Sequence, residues 1–162
     1  CLLAKGPGME SALMCMFSSI LITSAFIDAR HMYIPDGIHI LILILCCISL
    51  AAGSGPAIIN RLGGSLLAGG FLALVNLLSR GGVGWGDVKL FAASGLLIGA
   101  APAITALLMG YVAAGLWYAV PLVRGRVGRK TQIPMAPFFA FFLMVCGLWF
   151  RQLFLWYLGF FR

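Results

Sequence analysis

Acidic residues are almost missing from this chain. Its 162 residues include four, Glu10, Asp28, Asp36 and Asp87, against eleven lysines and arginines, and charged side chains make up only 9% of the total. Soluble domains carry roughly 25%, so a water-exposed globular fold is excluded. With 62% hydrophobic residues and a mean hydropathy of +1.08, the chain reads as an all-α polytopic membrane bundle. At about 20 apolar residues per crossing it has room for roughly six transmembrane helices and no separate soluble domain.

Metal-ligating patterns are also lacking. The five cysteines, Cys1, Cys15, Cys46, Cys47 and Cys146, contain no CxxC pair, and four of them sit inside apolar segments as ordinary thiols. His31 and His39 are eight residues apart with no cysteine or carboxylate at ligand spacing on a shared face, so no metal site and no cofactor are expected. The chain opens at Cys1 rather than Met. Residues 1–8 therefore read as an extension ahead of Met9 or as the edge of a longer chain, and residues 9–162 as a single integral-membrane domain.

The punctuation of the apolar runs sets the helices. The first is expected over Glu10–Ile27, ending at "DARHMYIPDG", and the second over Ile38–Ala52, stopped by "GSGP". A third spans Asn60–Leu78, with Gly63, Gly64, Ala68, Gly69 and Gly70 as close-packing positions. The run from Leu90 to Val123 holds no charge and is too long for one crossing, so it is expected to break at "IGAAPA". That gives a short fourth helix from near Asp87 and a fifth over Ala103–Leu122. A sixth covers Met135–Phe150, followed by an aromatic interfacial tail, "LFLWYLGFF".

The loops after helices one, three and five share one face and hold Arg30, Arg80, Lys89, Arg124, Arg126, Arg129 and Lys130. The other face holds Lys5, Arg61, Arg151 and Arg162. Seven against four places the first face in the cytoplasm and both termini outside. One short basic membrane loop accounts for the cationic excess, and no nucleic-acid partner is expected.

Asp28 closes the first helix and Asp87 opens the fourth. Two crossings, helices two and three, lie between them, so both carboxylates reach the same membrane face. The macrodipole opposes Asp28 at its helix C-terminus and favours Asp87 at an N-terminus. Two carboxylates that approach closely share one proton near neutral pH. Such a pair hydrolyses peptides, one member taking a proton from water and the other donating to the scissile carbonyl. Gly84 and Gly86 beside Asp87 would let a substrate backbone come close. A plainer reading also fits the residues: Gly84 and Gly86 form a turn, Asp87 caps a helix and Asp28 is solvated at a helix end.

"FIDARHMYIPD", with Asp28 ahead of Ile34-Pro35-Asp36, and "GWGDVKL", with Gly84-Trp85-Gly86-Asp87, resemble the two signature segments of prepilin peptidases, the type IV leader peptidases among GxGD membrane aspartic proteases. "IPMAPFFA", Ile133 to Ala140, is similar to the proline-containing start of that family's last helix. The resemblance covers about residues 10–150 in the family's order. It implies catalytic aspartates at Asp28 and Asp87, with Gly84, Gly86, Pro35, Asp36, Lys89, Pro134 and Pro137 as site-shaping positions. Asp36 is expected to be a polar or capping residue and Lys89 to snorkel towards headgroups; Arg30 and His31 read as interfacial anchors. The resemblance further implies removal of a short basic leader from type IV prepilin-like, pseudopilin or preflagellin precursors, after a Gly at the cytoplasmic face of the inner membrane. The paired CxxC motifs of the long, methylating forms are lacking here, so the short form without the zinc and methylation domain is expected.

A presenilin-like protease would place a Tyr-Asp pair mid-helix and carry Pro-Ala-Leu, but here Ile27 precedes Asp28 and the proline segment reads Pro-Met-Ala-Pro. The alternative from another class is a small proton-coupled transporter using Asp28 and Asp87 as a relay. No repeat relates the halves of the chain, which counts against it. A noncatalytic scaffold would leave the Asp and Gly positions unexplained.

Overall fold

A computed structural model describes residues 8–123 and 134–160. Lys5, Arg124, Arg126, Arg129, Lys130, Ile133 and Arg162, counted above, lie outside the described residues, as does the side chain of Arg151. Six helical segments make up the described chain: α1 Met9–His31, α2 Asp36–Ala51, α3 Ile58–Leu78, α4 Trp85–Ile98, α5 Ala100–Val123 and α6 Ala136–Phe160. Three of them, Met9–His31, Ile58–Leu78 and Ala100–Ala119, are long and apolar enough to cross a membrane. The outward faces are apolar too: Ile59, Leu66, Leu77 and Leu78 are each more than 70% exposed. A bundle that is oily both inside and out suits a hydrocarbon solvent.

α4 is the innermost helix. It packs against α2, α3, α5 and the start of α6, and it buries Val88, Leu90, Phe91, Ala93, Leu97 and Ile98 around its whole circumference. A helix that is apolar all round belongs in a core. α1 lies on the outside, with its backbone against α2 and α6 rather than α4. α2 and α6 therefore stand between the backbones of α1 and α4.

Glycines set how closely α3 meets α4. A Cβ on Gly64 would run into the Gly95 carbonyl, and one on Gly95 into the Gly64 backbone, while one on Gly69 would stand 2.7 Å from the Ala92 Cβ. α3 carries a π-helical stretch at Ser65–Gly69, between these two contacts. Gly63 and Gly70 do not take part in this α3–α4 contact: a Cβ on Gly63 would meet only Ala100, at 3.7 Å, and one on Gly70 nothing.

Several boundaries differ from the sequence expectation. α1 runs on through Asp28 to His31 and ends where Met32 turns left-handed (φ 51), its amide donating to the Asp28 carbonyl. The break after α4 falls on Gly99 alone (φ 89); Pro102 lies in the first turn of α5, where a missing N–H costs nothing. The aromatic tail is not a separate interfacial segment, because α6 continues through it to Phe160, with Phe150 and Phe154 stacked at 6.1 Å. Arg61 is not a loop charge. It is 2% exposed within α3 and donates to the carbonyls of Ser54 (2.6 Å), Pro56 (2.9 Å) and Leu96 (3.1 Å) and to Ser49 Oγ (2.8 Å). A planar five-donor fork can tie together chain ends that a flexible ammonium cannot.

Candidate active site

The C-terminus of α1 and the N-termini of α2, α4 and α6 come together at one end of the bundle. Asp28, one turn inside α1, is buried, and its Oδ2 accepts a hydrogen bond from the Ala136 amide at 3.1 Å. Ala136 opens α6, and its N–H is one of the donors that a helix start leaves unpaired. The next residue, Pro137, has no N–H, and the Phe138 and Phe139 amides turn back to the Met135 carbonyl at 3.1 and 3.2 Å. Asp28 thus caps a helix 108 residues away in sequence. The unfavourable dipole of its own helix is met by the favourable one of α6.

Asp87 stands in the first turn of α4, half-buried, and the charge of Asp28 acts on it directly. No side chain among the described residues hydrogen-bonds to it. Tyr111, from α5, lies within electrostatic reach and packs edge-on against Phe139, which packs in the same way against Phe91. The two carboxylates thus stand at the same end of the bundle, Asp28 on α1 and Asp87 on α4, within electrostatic reach of each other.

The two glycines stand in unlike surroundings. Neither Gly84 nor Gly86 has a left-handed backbone; Gly84 is extended at φ −65 and exposed. Gly86 is occupied by the protein itself, because a Cβ there would stand 3.1 Å from the Ile34 Cβ. A Cβ on Gly84 would approach only the Asp87 Oδ2, at 3.4 Å. The loop carrying Ile34 and Pro35 thus rests on the first turn of α4.

Asp36 does not cap α2. Pro35 holds the N-cap position, Asp36 is the first helical residue, and its Oδ1 accepts from Lys89 Nζ at 2.6 Å. Lys89 is therefore engaged by Asp36 rather than free to extend towards headgroups. Pro134 and Pro137, both half-buried, flank the Ala136 amide that Asp28 caps.

Sequence reasoning considered His39 only as a metal ligand and set it aside. It is 5% exposed, its Nε2 lies 3.0 Å from the Gly86 carbonyl oxygen and its Nδ1 3.7 Å from Asp36 Oδ1. The available signal was its position one helical turn after Asp36.

A family model, the type IV leader peptidase family, matches residues 15–120, a span that holds Asp28, the Pro35-Asp36 turn and the Gly84–Asp87 segment. The chain belongs to this family. Among curated relatives of the leader peptidase family, the prepilin leader peptidase/N-methyltransferase of Bacillus subtilis (strain 168) is 30% identical over 138 residues, covering 82% of this chain and 53% of the relative. That of Aeromonas hydrophila is 30% identical over 162 residues, covering 96% and 55%. The chain spans about half the length of the curated relatives it matches. No solved structure matches it. The α6 start that Asp28 caps lies beyond the stretch matched by the family model.

Proposed function

We propose that the chain is an intramembrane aspartic endopeptidase that removes the short basic leader from type IV prepilin-like precursors. The observation that carries this reading is the pair of carboxylates, Asp28 and Asp87, brought within electrostatic reach of each other at one end of the bundle. In the hydrolysis, one carboxylate removes a proton from a water molecule, whose oxygen attacks the scissile carbonyl carbon. The protonated partner supplies a proton to the carbonyl oxygen, and collapse of the tetrahedral intermediate breaks the C–N bond as the amine takes up a proton. No metal or organic cofactor enters.

The distribution of basic residues, seven on this side against three on the other once the buried Arg61 is set aside, supports a cytoplasmic position for this end, in the inner membrane. A precursor held there by its apolar helix would present the bond after its leader Gly at the depth of the dyad.

The test mixes detergent-purified protein, and its Asp28→Asn and Asp87→Asn variants, with a panel of precursors bearing a basic leader, a border Gly and an apolar helix. Mass spectrometry locates the cut. Cleavage after the Gly by the parent chain, reduced at least about 10²–10⁴-fold in either variant, is expected. Folded parent protein that cuts nothing but carries a proton flux sensitive to the same variants would establish the transporter instead.

A further inference from the structure

We propose that His39 is a positioning residue for Asp87: through its bond to the Gly86 carbonyl it fixes the peptide unit from which Asp87 projects. This rests on the peptidase reading above. A carbonyl oxygen can only accept, so the 3.0 Å contact requires the proton on Nε2. The opposite ring nitrogen, Nδ1, is buried with no hydrogen-bond partner, and Asp36 Oδ1 stands 3.7 Å from it, outside bonding range. All of the ring's hydrogen bonding is therefore directed at α4.

Gly86 needs such a hold. It is a glycine in the first helical turn, where the backbone is least restrained and helix propensity is poorest. Three contacts from the Ile34–His39 segment converge on that turn. Ile34 lies over Gly86 so closely that a Cβ there would sit 3.1 Å away, Asp36 takes the Lys89 ammonium at 2.6 Å, and His39 takes the Gly86 carbonyl. Of the three, only the His39 bond acts on the peptide joining Gly86 to Asp87. Asp28 is anchored to α6 and Asp87 to α2, so the separation of the carboxylates depends on how α2 holds α4.

The side-chain amide nitrogen of Gln can stand where Nε2 does, whereas that of Asn reaches only as far as Nδ1. The experiment therefore compares His39→Asn with His39→Gln in the full chain, with folding followed by thermal melting in detergent. His39→Asn is expected to lower kcat about 10–100-fold, the usual effect of displacing a catalytic group by about an ångström, and to leave KM within about twofold. His39→Gln is expected to restore most of kcat. Equal activity of the two variants, or a loss confined to KM, would overturn the assignment.

Hydrogen exchange at the amides of residues 87–90 supplies a readout that needs no substrate. Faster exchange is expected in His39→Asn and near-parental exchange in His39→Gln; indistinguishable exchange in all three proteins overturns the clamp. If the parent chain cuts no precursor, the peptidase reading falls and the exchange result alone decides the clamp.

Discussion

At Asp28 one carboxylate oxygen accepts the Ala136 amide, so the residue supports the start of α6 as well as standing within electrostatic reach of Asp87. Different substitutions separate the two roles. Asn keeps an acceptor oxygen but cannot exchange the proton, whereas Ala loses both. Asp28→Asn should melt close to the parent chain while losing cleavage. Asp28→Ala should be less stable than Asp28→Asn by about 0.5–2 kcal/mol, the ordinary worth of an N-cap, and thermal melts in detergent would register the difference. The glycines of the motif should likewise differ. Gly84→Ala meets only a carboxylate oxygen at 3.4 Å and is expected to fold normally, whereas Gly86→Ala must displace Ile34 and should lose activity more steeply, as paired cleavage and melting assays would reveal.

Among the elements, α3 and α4 show most directly how composition becomes geometry. Their backbones touch at Gly64 and Gly95 and again beside Gly69 and Ala92, so a side chain at these points pushes the helices apart. Gly95→Ala should destabilise the fold by about 1–3 kcal/mol, as overpacking does. Gly70→Ala, which has open space, should be neutral or stabilise by up to about 1 kcal/mol through helix propensity. A melt in which both behave alike would contradict the contact. The glycine stripe was visible in the sequence, but which of its members face α4 was not. A π-helical stretch inserted between the two contacts changes the angle at which later residues point.

For the molecule as a whole, the two ends of the bundle are built differently. The dyad end is joined by carboxylates and backbone amides, and the opposite end by Arg61, which draws together the end of α2, the following loop and the end of α4 with no acidic partner among its bonds. Arg61→Lys should lower stability by about 1.5–3 kcal/mol, since one ammonium cannot replace a fork of charged donors. Because Arg61 lies at the far end, this loss should appear in thermal melts before it appears in the kinetics of any folded fraction.

The sequence alone determined the membrane class, the number of helices and the arrival of Asp28 and Asp87 at one end, because apolar run length, turn residues and the parity of crossings are all local or countable. Helix ends were less legible: α1 and α6 run past their expected stops, since a buried neighbour or a lipid-facing surface can continue a helix that composition would end. Tertiary structure decided the partners. That Asp28 caps α6, that Asp36 pairs with Lys89, that His39 reaches Gly86 and that Arg61 turns inward all join residues 35 to 108 positions apart or depend on burial, apart from Arg61's shorter links to Ser49, Ser54 and Pro56. In a medium without water each buried donor must find an acceptor inside the protein, and which one it finds is set by how the helices pack.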